Sequence, residues 1–521
     1  MNNKSTDGPL VVAIDSSTTS TKAIVVDVNG NVLGTAKRPI QLHTPAMDQY
    51  EHNPIRWWET SRDTIGEVIS GLSPADRSRV SAIGVTQQRE SFAPFKADGT
   101  PLRNGILWLD GRATEQIRAY GTDRVHQLSG KPAGVQPSIR WHGSSNTNRT
   151  HLPRLTRSSM LVATSVSTSL IDGPPRKHPP IPSASSISNR APGLTNSSRS
   201  LASSATRLLI WFHLLTSLGT CAQNSSRTGV WTVRFASLRA SATVRQPASA
   251  LPQSPPDIAY LNLGTAVNAG VESPTYKYDS AVRTLVSGIP GEYVFEVLQS
   301  SGSYLAGWFR EALGDPRLLG EPDPELDAAA STIPPGCEGL ITLPYWNAVQ
   351  SPYWDPVARG AVVGWRGTHS RAHMYRSILE SIGFEMRFNL DCIEKQTGVR
   401  ITALRAMGGG TRSKLWRQIM ADTAGVPITT CVEDEISALG AAVLAMAGIE
   451  AHDSHDVAVS AKAMAHFGDT TEPDVSLHEQ YKDVAEVQHR LYPHLQEVFE
   501  DLHTLANRYP STKPESPKLS S

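Results

Sequence analysis

Apolar positions near the start of the chain are bunched, not alternating. Residues 10–14 (LVVAI) end at Asp15, small hydroxylated residues follow, and a second apolar run resumes after Lys22. This pattern predicts strand, tight turn and strand, with Asn29-Gly30 closing a further hairpin. The plan returns at residues 258–271 (IAYLNLGTAVNAGV), where the turn is Gly264-Thr265-Ala266. Two like hairpins in one chain predict two similar halves.

Between the hairpins, Pro54 behind Asn53 marks a helix start, and Trp58, Ile65, Val68, Ile69 and Leu72 share one helical face. Residues 81–86 read as a short strand that releases Gln87, Gln88, Arg89 and Glu90 at its end. In the second half, residues 339–344 and 360–364 read as strands. A helix is expected near Thr368, as its N-cap, with Tyr375, Ile378, Leu379, Ile382, Met386 and Leu390 forming a core stripe. Residues 401–407 read as a strand running into Gly408-Gly409-Gly410 and a helix from Leu415, and the Ala-rich stretch 437–447 as a helix behind that glycine loop.

Both periodicities fail over residues 138–256. No glutamate occurs between Glu115 and Glu272, and Asp123, Asp172 and Asp257 are the aspartates of that interval. A low-complexity linker is the ordinary interpretation.

Composition adds exclusions. Over 521 residues, 49 Lys plus Arg balance 49 Asp plus Glu without a polybasic block, which leaves no electrostatic footprint for nucleic acid or an anionic membrane. A chain this long is expected to build two or more domains. The start lacks a signal-peptide pattern and the longest apolar run, around 208–215, is too short to span a bilayer, so a cytoplasmic protein is expected. Cys221, Cys337, Cys392 and Cys431 lack metal-ligand spacing and read as free thiols.

Candidate chemistry gathers at the turns. Side chains in the first turn are too short to block a ligand, so backbone N–H groups and hydroxyls can converge on phosphate oxygens, while Asp15 offers a carboxylate for magnesium. A hairpin whose polar side chains satisfy their own backbone is the plainer alternative. Arg89 and Glu90 pair a donor fork with acceptors, suited to sugar hydroxyls or to a solvated surface pair. The three glycines allow backbone to approach a ligand, or make an ordinary tight turn.

Taken together with residues 88–90 (QRE), 106–112 (ILWLDGR), 352–356 (PYWDP), 358–360 (ARG), 415–419 (LWRQI) and 438–442 (ALGAA), these stretches resemble the FGGY family of carbohydrate kinases over residues 10–138 and 257–509. Ser17 stands where that family usually has Gly. The resemblance implies an α/β protein of the two-lobed actin-like ATPase (ribonuclease H-like) fold. Residues 9–256 would form the sugar-binding lobe, 257–509 the ATP-binding lobe and 510–521 a disordered tail. It implies ATP-dependent phosphorylation of a small sugar or polyol with Mg2+. Asp15 would hold the metal, Thr18, Thr19, Lys22, Gly264 and Thr265 the phosphates, Gly409, Gly410 and Ser413 the adenosine, and Arg89, Glu90 and Asp110 the acceptor. Second-half motifs look most like xylulose kinases and residues 88–91 (QRES) more like glycerol kinases, which ranks D-xylulose or a related pentulose before glycerol. A homodimer is compatible with the resemblance, and a non-catalytic actin-like nucleotide-binding protein is the rival.

Against that family, the anomalous stretch reads as a translation in a shifted frame. Joining the last base of each codon to the first two of the next lets residues 178–187 encode Ser-Ala-Asp-Pro-Leu-Gly-Leu-Phe-Asp, a run these kinases carry. Residues 140–149 and 241–250 likewise permit family segments in the correct order, the latter including Gly-Asp-Gly, which holds the family's general base. Its codon straddles Ala242 and Thr243, so the written chain has no carboxylate there, and poor folding with little activity is expected.

Overall fold

The computed structural model describes residues 8–46, 49–95, 99–132, 160–162, 255–289, 291–313, 323–433 and 435–509. The frame-shift expectation at Ala242 and Thr243 and the tail expectation at 510–521 therefore lie outside the described residues.

The first hairpin is β1 (Leu10–Ser16) and β2 (Ser20–Val26), followed by β3 (Val32–Pro39), β4 (Glu51–His52), α1 (Pro54–Ser70), α2 (Pro74–Arg79) and β5 (Val80–Gln87). Their sheet has the order β3-β2-β1-β5, with β5 parallel to β1. β6 (Phe92–Pro94), β7 (Gly105–Ile106), α3 (Thr114–Tyr120), α4 (Asp123–Ser129) and β8 (Met160–Val162) come next, and β4-β7-β6-β8 form a small second sheet.

The second hairpin, β9 (Ile258–Leu263) and β10 (Val267–Ser273), leads through β11 (Arg283–Val286) and β12 (Tyr293–Gln299) to α5 (Ser303–Leu313), α6 (Pro324–Ser331), β13 (Ile341–Leu343) and β14 (Ala361–Val363). α7 (Arg371–Thr397), β15 (Ala403–Met407), α8 (Lys414–Ala424), β16 (Ile428–Cys431), α9 (Ile436–Gly448), α10 (Val457–Met464), β17 (Phe467–Thr471) and α11 (Val475–Arg508) complete it. Seven strands run in the order β11-β12-β10-β9-β15-β16-β17. The block β3-β2-β1-β5 thus recurs as β12-β10-β9-β15, with the hairpin antiparallel and the crossover strand parallel in both. The two expected halves are built on one plan.

β1 is buried along its whole length, and its first five residues are apolar because both its faces are covered. Leu10, Val12 and Ile14 face α1, meeting Ile65, Val68 and Leu72. Val11 and Ala13 face the other way, into a cluster with Leu439, Ala442 and Val443 of α9, which also takes in Tyr260, Val294 and Met407 of the seven-stranded sheet. One helix therefore closes a core shared by both sheets. It lies so tightly on β5 that a Cβ at Gly84 would stand 2.2 Å from the carbonyl oxygen of Ala441. The helix expected behind the glycine loop does share a cluster with Met407 at the loop's start, and its burial on nearly every side reflects a further role, as a wedge between the two sheets.

α1 begins at Pro54 under Asn53, whose side chain accepts from the Ile55 N–H. Ser370, not Thr368, precedes the first turn of α7, because His369 is still tied to Arg366 in a turn and the Ser370 N–H donates to His373 Nδ1. Cys337, Cys392 and Cys431 are free thiols, as expected.

Candidate active site

Strand register places the first turn. Asp15 lies opposite Lys22 on β2 and Thr86 on β5, and is only 5% exposed. Ser17 closes the turn: its N–H and its hydroxyl both donate to the Ser20 carbonyl. Its backbone avoids the left-handed region, so the turn does not require glycine here. The Thr18 hydroxyl accepts from the Trp108 indole at 2.9 Å and donates to Gln88, while Thr21 meets Thr60 at 2.7 Å. Thr19 is exposed, and Ser20 Oγ is buried without a partner. Backbone amides, Thr19 and Ser20 are thus the groups this turn can still offer a ligand. Lys22 donates to both carboxylate oxygens of Glu435 at 2.6 and 2.7 Å, across the two halves.

The acceptor candidates follow directly, since the Gln88 N–H donates to Ser16 O beside the turn. Arg89 crosses to the other half and donates to Glu296 at 3.0 Å, while its second terminal nitrogen is buried without a partner. Glu90 takes a left-handed backbone (φ 59°) that turns its carboxylate towards Lys131, 2.9 Å away. Burial pushes the Glu90 acid up, but Lys131, Arg89 and Arg283 outweigh it and hold it at about 2. Asp110 is committed differently: it accepts from the Tyr50 N–H and from two nitrogens of Arg112, each at 2.7 Å, and Arg112 continues to Glu51.

Glu296 is the residue the sequence did not expose. It sits inside the apolar strand β12, 1% exposed, and accepts from Arg89, Arg283, Tyr260 and Asn268. Gly270 lies between it and Tyr260 in register, and the absent side chain leaves a lane for the tyrosine ring. Burial raises its pKa, yet Arg283 and Arg89 bring it down to about 2. A lone glutamate within YVFEVLQ was the available signal. His52 was missed too: buried, it accepts from the Trp57 indole at 2.9 Å, and burial holds it neutral down to about 4.

From Glu296 a polar relay reaches the second turn. Asn268 donates to Glu296 at 2.8 Å and accepts from Asn262, which pairs with it beside Gly264 and Thr265. The Gly302 and Ser303 N–H groups donate to the Thr265 and Gly264 carbonyls and fix that turn. Gly408 (φ 90°) presses against Asn262, and a Cβ on Gly410 would stand 2.6 Å from the Trp416 ring and 2.9 Å from Leu263. Gly409 alone faces open space. Ser413 caps α8 and donates to Asp327 at 3.1 Å. The structure thus brings Gly264, Thr265, Gly409 and Gly410 together at the ends of β9 and β15, and ties them through Glu296 to Arg89 and the first turn. A buried carboxylate at Asp15, an unpartnered guanidinium nitrogen and an open glycine backbone fit a magnesium nucleotide and a hydroxylated acceptor.

Among the described residues no helix is long and apolar enough to cross a membrane, and no cluster of three His, Cys, Asp or Glu could hold a metal. Residues 10–133 match the N-terminal domain of the FGGY family of carbohydrate kinases, and residues 259–449 its C-terminal domain. The glycerol kinase of Pasteurella multocida is 28% identical over 477 residues, covering 84% of this chain and 89% of that protein. Other glycerol kinases match at 26–29% identity. Among solved structures, the ligand-bound xylulose kinase from Lactobacillus acidophilus superposes with a TM-score of 0.71 at 18% identity, covering 95% of this chain and all of that one. The xylulose kinase from Rhodospirillum rubrum gives 0.67 at 21% identity, over 94% of this chain. These likenesses give the fold, that of the two-lobed actin-like ATPases.

Proposed function

Because the chain belongs to the FGGY family of carbohydrate kinases, we propose that it transfers a phosphoryl group from MgATP to a hydroxyl of a small polyol, glycerol first. The observation that carries this is the relay Arg89–Glu296–Asn268–Asn262, which ties the acceptor candidates to the second phosphate turn. Glycerol is favoured by the relatives at 26–29% identity and by residues 88–91. D-xylulose is the second reading, favoured by the motifs of the second half.

Phosphoryl transfer asks the protein chiefly for alignment and charge neutralisation. Bound MgATP supplies the transferable group. Asp15 would hold the metal. Thr19, Lys22 and the amides of the first turn, with Thr18 shaping it, would face the phosphates alongside Gly264 and Thr265. Gly409 and Gly410 would accept the adenosine, with Ser413 fixing the helix behind them. Arg89 and Glu90, with Asp110 holding their neighbouring loop, would orient the acceptor. Lys22 and Arg89 can serve a ligand by exchanging their present partners, Glu435 and Glu296, for its anionic or hydroxyl oxygens.

Calorimetric titration with MgATP, followed by ADP release with glycerol, D-xylulose and other polyols, tests this. The expected result is nucleotide binding that Asp15→Ala abolishes, with turnover near background in the literal chain. Restoring the frame over codons 138–256 is expected to raise glycerol-dependent ADP release by roughly the 100- to 10,000-fold a general base contributes. Binding without acceptor-dependent turnover in the restored chain would favour a nucleotide-binding scaffold, and no MgATP binding would end the kinase reading.

A further inference from the structure

Behind the second turn lies a recess that phosphoryl transfer does not use. It is small, with room for little more than a single water molecule or ion, and is bounded by Gln299, Ser300, Tyr345, Ser351 and Glu385 among others. Glu385 is 2% exposed on the inner face of α7. It accepts from the Tyr345 hydroxyl at 3.0 Å, and none of the described arginines or lysines pairs with it. Burial pushes its pKa up to about 8.

Among the other described lining groups, the Ser351 hydroxyl accepts from the Leu298 N–H, and one side-chain oxygen stands without a donor. Gln299, 8% exposed, turns its amide towards Ile382 O on α7, and its Oε1 is buried without a partner. Tyr345 spends its hydrogen on Glu385, and Ser300 directs its own to the carbonyls of Asn347 and Ala348. One turn along α7 and outside the recess lining, fully buried Asn389 leaves both its side-chain oxygen and its side-chain nitrogen without a partner. A buried carboxylate with no counter-charge is costly, and oxygens without donors add to that cost. Water would supply hydrogens but not charge. A cation supplies the missing charge to the carboxylate and a partner to each oxygen.

We infer that this recess is a monovalent-cation site in which Glu385 supplies the charge and Gln299 and Tyr345 supply neutral oxygens. A single carboxylate matches a single positive charge, whereas divalent sites in proteins gather more acidic oxygens. The site stands one element behind the nucleotide turn: Gln299 pairs in register with Val267, and three residues on, Gly302 holds the Thr265 carbonyl. It is independent of the acceptor and of the general base.

The test is thermal unfolding of the full chain without nucleotide at about pH 9, above the value near 8 to which burial pushes Glu385, in potassium, sodium or tetramethylammonium chloride at equal ionic strength. Potassium or sodium is expected to raise Tm by several degrees, saturably, relative to tetramethylammonium, which is too bulky to enter. Glu385→Gln should abolish the difference between salts. Gln299→Met, which keeps the charge, should raise the half-saturating concentration several-fold, and it carries the test if Glu385→Gln does not fold. Equal Tm values in all three salts, or a salt difference that survives Glu385→Gln or is unmoved by Gln299→Met, overturn the assignment.

Discussion

Glu296 shows how a single residue can organise a site that its neighbours in sequence disguise. Four donors from three strands and from the other half converge on it. Removing its charge strands Arg89 and Arg283, so Glu296→Gln is expected to cost about 3–5 kcal/mol in urea unfolding, the usual penalty for breaking a buried ion pair. The acid limb follows with a definite sign. Glu296 and Glu90 both fall from 4.5 to about 2 in the folded chain. Their stabilisation is complete above about 4.5 and is lost as pH falls towards about 2. Glu296→Gln should flatten that limb in a pH series of urea midpoints. Arg89 and Glu90 were legible because a charged pair just beyond a strand end is conspicuous. Glu296 was not, because hydropathy patterning treats one acid among five apolar or aromatic neighbours as noise.

At the scale of elements, hairpins and crossover strands were readable because strands buried on both faces leave continuous apolar runs. The role of α9 was not, because an all-apolar helix fits any interior and its sequence does not say which sheet it serves. Contact with β5 at Gly84 makes that role measurable. Gly84→Ala would set a methyl against the Ala441 carbonyl at 2.2 Å, and since backbone must move to relieve it, a loss of about 1–3 kcal/mol is expected in denaturant unfolding. Glycines with open surroundings, Gly66 or Gly307, serve as controls and should change stability little or favourably.

For the whole molecule, the break between the two family matches, from 134 to 258, coincides with the stretch where periodicity fails and glutamate is absent. Sequencing the gene across codons 138–257 is expected to reveal a one-base shift; peptides from the purified protein that match the written residues, with an unshifted gene, would refute it. The shared core has a consequence of its own for biosynthesis. β1, β2 and β5 leave the ribosome early, but α9, which covers Val11, Ala13, Ile24, Val26 and Ala82, is completed only at Gly448. At roughly 5–20 residues per second, that apolar surface waits on the order of tens of seconds for its lid. The nascent amino-terminal half is therefore a natural client for holding chaperones, and a polypeptide truncated before α9 would emerge sticky and insoluble.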